Sequence, residues 1–175
     1  VKDGTYDLIV WDTAPAGDTL RLLELPYKFI EHLRSAPRIY MRVRDALKLK
    51  KVPFLDLIES WKALAEEVTG FMRDSENTEF ILVTIPEGLG VYQARRLIKE
   101  FHRFGLEIRY ILVNNVLANA ESDFNRRRME MQQGYIQILR DEYGDGRTIL
   151  EVPLFAREIK GVERLRKLEQ VLFAP

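Results

Sequence analysis

Four apolar residues, Leu8 to Trp11, run straight into a carboxylate, Asp12, and then into Pro15 and Gly17. The run is too short for a helix. It reads as a strand buried on both faces, as in a parallel sheet. Parallel strands cannot be joined by hairpins, so the chain behind such a strand must supply crossovers, most often helices. A helical pattern does begin near Thr19.

Two readings of Asp12 stand on this pattern alone. A strand-terminal Asp commonly serves the turn or caps the next helix. An Asp delivered to the carboxyl edge of a sheet can also meet a hydrated Mg²⁺ and a nucleotide phosphate, which is the Walker B arrangement. Gly17 has the same duality. It is either a plain turn glycine or a place where the backbone can approach a phosphate that a side chain would block.

Helical patterns dominate residues 19–75. A helix is expected from Thr19 to about Arg34, with Pro26 kinking or breaking it. A second segment covers Arg38 to Lys51, and Pro53 opens a third. In the third, Leu57, Ile58, Trp61, Leu64, Ala65 and Val68 follow helical spacing closely. Such a stripe either packs on the protein's own core or faces a partner helix.

Strands return with Phe80 to Ile85, stopped by Pro86-Glu87-Gly88. A crossover helix is expected from Leu89 to Phe104, closed by Gly105. A strand follows from Ile108 to Val113, ending in Asn114-Asn115. A long helix runs from about Glu121 to Tyr143, and a fourth strand from Thr148 to Val152 is stopped by Pro153. A terminal helix occupies about Val162 to Phe173. This alternation predicts an α/β fold with a mostly parallel, doubly wound sheet and a helical insertion. The expected division is 1–25 with 76–175 as the α/β domain and 26–75 as the insertion.

Composition narrows the function classes. The 175 residues carry 27 basic and 27 acidic side chains, a formal net charge of zero, so no overall nucleic-acid footprint is expected. There is no cysteine, which excludes disulfides, thiolate metal sites and a cysteine nucleophile. His32 and His102 have no ligand spacing, so no zinc site is expected. No apolar run reaches membrane-spanning length and no signal-peptide pattern opens the chain, which makes a cytoplasmic protein the expectation. G-x-x-x-x-G-K-S/T does not occur, so the sequence holds half of a phosphate site and reads as the carboxyl-terminal portion of a longer ATPase.

The longer string Asp12-Thr13-Ala14-Pro15-Ala16-Gly17-Asp18-Thr19-Leu20-Arg21 resembles, without a gap, the switch II signature of the arsenite-pump and tail-anchored-protein-targeting ATPase family. That family has a deviant-Walker P-loop fold, and its usual string reads DTAPTGHTLR. Ala16 replaces its Thr and Asp18 replaces its His. The order of later motifs matches as well: Ile85-Pro86-Glu87, Val113-Asn114, and Pro153-Leu154 followed by Glu158-Ile159-Lys160-Gly161.

The resemblance implies Mg²⁺ held through water by Asp12, with ATP approached by Gly17, Glu87, Asn114, Pro153 and Phe155. Asn114 falls where the family recognises adenine, and an amide's paired donor and acceptor suit a purine edge. Asn as a turn residue is the plainer reading, as a solvated turn carboxylate is for Glu87. Targeting members carry C-x-x-C ahead of an R-x-x-x-Q-x-x-Y helix and share one zinc between subunits. Here Arg128, Gln132 or Gln133, and Tyr135 remain and the cysteines are absent, so a homodimer would lack a zinc bridge. Catalytic residues of the family's phosphate loop and switch I are absent from the chain.

The function implied is Mg-ATP hydrolysis by the intact protein, coupled to conformational change and to binding of an apolar client helix or a membrane pump subunit. The chain alone is expected to be inactive. The alternative is a non-enzymatic helical binding module on an inert α/β base. A chromosome-partitioning relative of the superfamily is a weaker third reading.

Overall fold

A computed structural model describes residues 4–13, 21, 24–32 and 54–173. The chain divides into two compact units, residues 1–71 and 72–175. Gly17, Asp18, the expected start near Thr19 and the segment Arg38 to Lys51 lie outside the described residues.

In the first unit, residues 24–32 form helix α1, and Phe54–Arg73 forms α2. α1 runs through Pro26 without the expected break at that residue. The proline penalty is local, and the turns beyond it are supported by the Glu24–Lys28 ion pair. The Phe29 ring also lies 6.0 Å from that of Trp61, centroid to centroid. α2 buries Ile58, Ala65 and Thr69, and its Thr69 hydroxyl donates to the Ala65 carbonyl at 2.8 Å. Leu57, Trp61, Leu64, Val68 and Phe71 are each between 40% and 57% exposed.

The expected strand at Leu8 to Trp11 is not formed. No strand is assigned there, and Leu8 and Val10 are 80% and 83% exposed. A strand exists through its ladder and its burial. Among the described residues the first unit holds no other strand to pair with this one. Asp12 therefore sits in an exposed, unpaired segment.

The second unit is a β-α-β-α-β-α run. β1 (Phe80–Thr84), β2 (Ile108–Val116) and β3 (Thr148–Pro153) form a parallel sheet in the order β1-β2-β3. The crossovers are α3 (Gly88–Arg103) and α4 (Asp123–Tyr143), and α5 (Val162–Phe173) follows β3. Leu82, Ile111 and Val113 are buried on the sheet, with Ile98, Phe101, Ile136 and Leu139 from α3 and α4. Phe80 and Phe101 meet edge to face at 5.1 Å. α3 and α4 are tied by Arg95, whose Nε donates to Glu142 Oε2 at 2.7 Å. Within this unit β1 is covered on one face only, and Ile81 and Val83 stand exposed on the other.

Candidate functional site at the carboxyl edge of the sheet

All three strands point their carboxyl ends the same way, and each end is built differently. After β1, Pro86 is fully buried and cannot donate to a ladder. The chain turns there, with Glu87 N–H donating to the Ile85 carbonyl at 2.8 Å. Glu87 is the N-cap of α3 in an extended conformation, yet its side chain makes no capping hydrogen bond. Its carboxylate accepts from the Arg128 guanidinium of α4 instead.

β2 ends in a kink. Asn115 has φ of 60°, the left-handed region that Asn tolerates better than most residues. The register with β3 slips between Val113 and Val116. Asn114, half-buried, turns its Oδ1 to accept from the Asn115 N–H at 2.9 Å. Beyond the kink, Val116 pairs with Pro153, and its carbonyl accepts from Leu154 N–H at 2.8 Å. Pro153 and Phe155 are half-buried at the end of β3.

One face of α4 reaches these ends. Arg128, Gln132 and Tyr135 stand at i, i+4 and i+7, which places them on one side of a helix. Arg128 holds Glu87. Gln132, 3% exposed, accepts from Leu117 N–H at 2.8 Å through Oε1 and donates to the Asn115 carbonyl at 3.0 Å through Nε2. Tyr135 brings its hydroxyl to Gly88, where an added Cβ would lie 3.1 Å from Oη. The helix starts at Ser122, whose Oγ accepts from Asn125 N–H at 3.2 Å.

Between α4 and the strand ends opens a cleft of about 320 Å³, lined by Pro86, Glu87, Asn115, Phe124, Arg128 and Leu154 among others. Of the residues expected from sequence, Glu87 lines this cleft; Asn114 and Pro153 lie at the neighbouring strand ends, with Phe155 just beyond. Gly17 lies outside the described residues, and Asp12 belongs to the other unit. Two residues of the edge, Asn115 and Gln132, have no place in the sequence-based set of nucleotide ligands. The signal for Gln132 was present, as a polar residue spaced with Arg128 and Tyr135 along an otherwise inward-facing helix side.

The donor set suits the groups a nucleotide would bring. Asn114 offers an amide, and the half-buried Pro153 and Phe155 offer apolar surface beside it. Among the described residues no group of three or more His, Cys, Asp or Glu is arranged to hold a metal. Mg²⁺ does not need one, since it ordinarily keeps its waters and uses one or two carboxylates with substrate phosphates.

A parallel α/β sheet with polar strand ends at its carboxyl edge is the architecture of a nucleotide-binding protein class. Residues 1–174 match the family model described as anion-transporting ATPase. The chain belongs to that family. It is 30% identical to the ATPase GET3 of Komagataella phaffii over 97% of this chain and 52% of that protein. It is 32% identical to the ATPase GET3A of Arabidopsis thaliana, over 100% of this chain and 53% of the relative. It is also 30% identical to the ATPase ASNA1 homolog 2 of Paramecium tetraurelia, over 100% and 58% respectively. The chain thus spans about half the length of the curated relatives it matches. Among the described residues no helix is long and apolar enough to cross a membrane.

Proposed function

We propose that this chain is the carboxyl-terminal portion of a cytoplasmic ATPase that couples Mg-ATP hydrolysis to conformational change and to binding of a client or partner. The observation that supports it is the gathering of Glu87, Asn114 and Pro153 at the carboxyl ends of adjacent parallel strands, where open α/β sheets take their ligands. Asn114 reads the purine edge, Pro153 and Phe155 pack on the base, and Glu87 faces the nucleotide. Asp12 holds Mg²⁺ through water, and Gly17 leaves room for the terminal phosphate. Mg-ATP supplies the phosphoryl chemistry, and these residues bind and orient it. A homodimer of such chains forms without a zinc bridge.

Calorimetric titration with ATP tests the reading. Asn114→Ala should weaken binding about tenfold or more, the scale of losing paired hydrogen bonds to a base. Asp12→Asn should remove the gain in affinity that Mg²⁺ brings. Binding indifferent to both changes refutes the assignment.

A second reading, a helical binding module without enzymatic function, is favoured by α2. Its exposed Leu57, Trp61, Leu64, Val68 and Phe71 make a surface suited to an apolar helix. Titration with a labelled apolar helical peptide separates the two. Peptide affinity that shifts with nucleotide supports coupling, and affinity blind to nucleotide supports the module.

A further inference from the structure

We propose that the outward side of α3 is a docking surface for an acidic helix of a partner protein. This face is not the cleft, and the inference does not rest on the nucleotide reading.

Leu89, Tyr92, Arg96, Lys99 and Arg103 recur at steps of three and four residues, which puts them in one stripe along the helix. The stripe lies opposite the buried side, which Val91, Ala94, Ile98 and Phe101 fill. All five of its side chains are exposed, and none is a carboxylate.

An outward helix face is ordinarily just solvated, and two observations set this one apart. The first is its charge. Several exposed cations elsewhere stand beside a carboxylate, as Lys62 does with Glu66, Arg126 with Asp123 and Arg140 with Glu151. Among the described residues Arg96 and Lys99 have no such partner, and Arg103 meets Glu100 only at 3.4 Å. The helix dipole favours a cation in the last turn, as at Arg103, but its effect falls off before Lys99 and Arg96. The second is an apolar head. Leu89 and Tyr92 are 67% and 63% exposed, at the end of the stripe where the cations stop.

The stripe therefore describes its complement. Cations without counter-charges call for carboxylates, and two bare apolar side chains call for apolar surface. Leu89 to Arg103 spans about 20 Å at the helical rise, the length of a helix of about four turns. A partner helix lying antiparallel fits this order. Its first turns, where the dipole favours carboxylates, fall over Arg103, Lys99 and Arg96. Its last turns bring apolar residues to Tyr92 and Leu89. A nucleic acid would match the cations and leave Leu89 bare, and a membrane surface wants apolar side chains along the whole stripe.

The test is fluorescence anisotropy of a labelled helical peptide with Glu in its first turns and Leu in its last, titrated with the full chain. The chain should bind it, with affinity falling as salt is raised. Arg96→Glu combined with Lys99→Glu should weaken binding about tenfold, and Tyr92→Ala about fivefold. Arg166→Glu combined with Lys167→Glu, both exposed on α5, changes the net charge equally and should leave the affinity at the wild-type value. Equal weakening by the two double variants overturns the proposal, since that is what a non-specific charge effect would give. Affinity unaltered by the α3 variants, or no binding of the peptide, overturns it as well. If the α3 double variant does not fold, Tyr92→Ala decides by itself. Phosphatidylserine vesicles and a single-stranded oligonucleotide are titrated alongside. Either of them bound through Arg96 and Lys99, with the peptide left unbound, overturns the acidic helix in favour of that occupant. No nucleotide cofactor enters the assay, so none of these outcomes bears on Asn114 or Asp12.

Discussion

Arg128 of α4 grips the carboxylate of Glu87, the residue that opens α3, across 41 positions of sequence. The pair joins two consecutive crossovers at the carboxyl edge of the sheet. It also turns Glu87 away from the capping role its position would allow, since the helix receives no side-chain cap there. Both side chains are partly solvated, and exposed ion pairs contribute about 1 kcal/mol or less. Arg128→Ala should therefore cost less than about 1 kcal/mol in urea unfolding. Exchange of the Val91 amide, which donates to the Glu87 carbonyl, should quicken as the start of α3 loosens. A loss above about 2 kcal/mol would show that the pair carries more than its solvation permits.

Gly90 has no room for a side chain. A Cβ there would stand 2.3 Å from the Ile85 carbonyl oxygen and 3.0 Å from Thr84 Oγ1. The first turn of α3 presses against the end of β1 because this residue lacks that atom. The obstacle is mainly backbone, which cannot rotate aside. Gly90→Ala should destabilise the fold by about 1–3 kcal/mol, the usual cost of forcing atoms into a filled site, despite alanine's better helix propensity. Thermal unfolding of the variant measures it, and a midpoint equal to or above the wild type contradicts the close approach.

Acid should weaken the second unit through two carboxylates. Hydrogen bonding from Arg95 holds Glu142 below the usual carboxylate range. The Asn77 side chain, followed by the Glu76 N–H, does the same for Asp74. A lowered folded-state pKa means that the unfolded chain takes up protons first as pH falls. The stability these groups add is complete above the ordinary carboxylate pKa of about 4, and is lost as pH drops through the lowered value. Arg95→Gln should melt below the wild type at about pH 7, with the gap closing below about pH 3. A gap independent of pH in a calorimetric series would count against the pair.

Most of the second unit could be read from residue patterns. Pro86 and Gly105 punctuate it where they were expected to, and the apolar runs at Phe80 and Ile108 are strands, while β3 takes in Pro153 as its last residue instead of stopping before it. Two features resisted. Leu8 to Trp11 carries the apolar signature of a buried strand, but that signature reports a capacity for burial. It does not say whether a neighbouring strand is at hand. Likewise Gln132 looked like the remainder of a zinc-binding motif. Its two partners are backbone groups of Asn115 and Leu117, and main-chain partners leave no trace in residue identity. The kink at Asn115 is a conformation, and Asn occurs in many turns without it.

Among the described residues β1 is an outermost strand, with Ile81 and Val83 exposed on one side. An edge strand presents backbone amides and carbonyls with which an extended chain can pair. Handled on its own, the polypeptide should therefore be concentration-shy, clinging to its own copies or to vessel walls. A preparation that stays clear and monodisperse owes that to something lying over those two side chains.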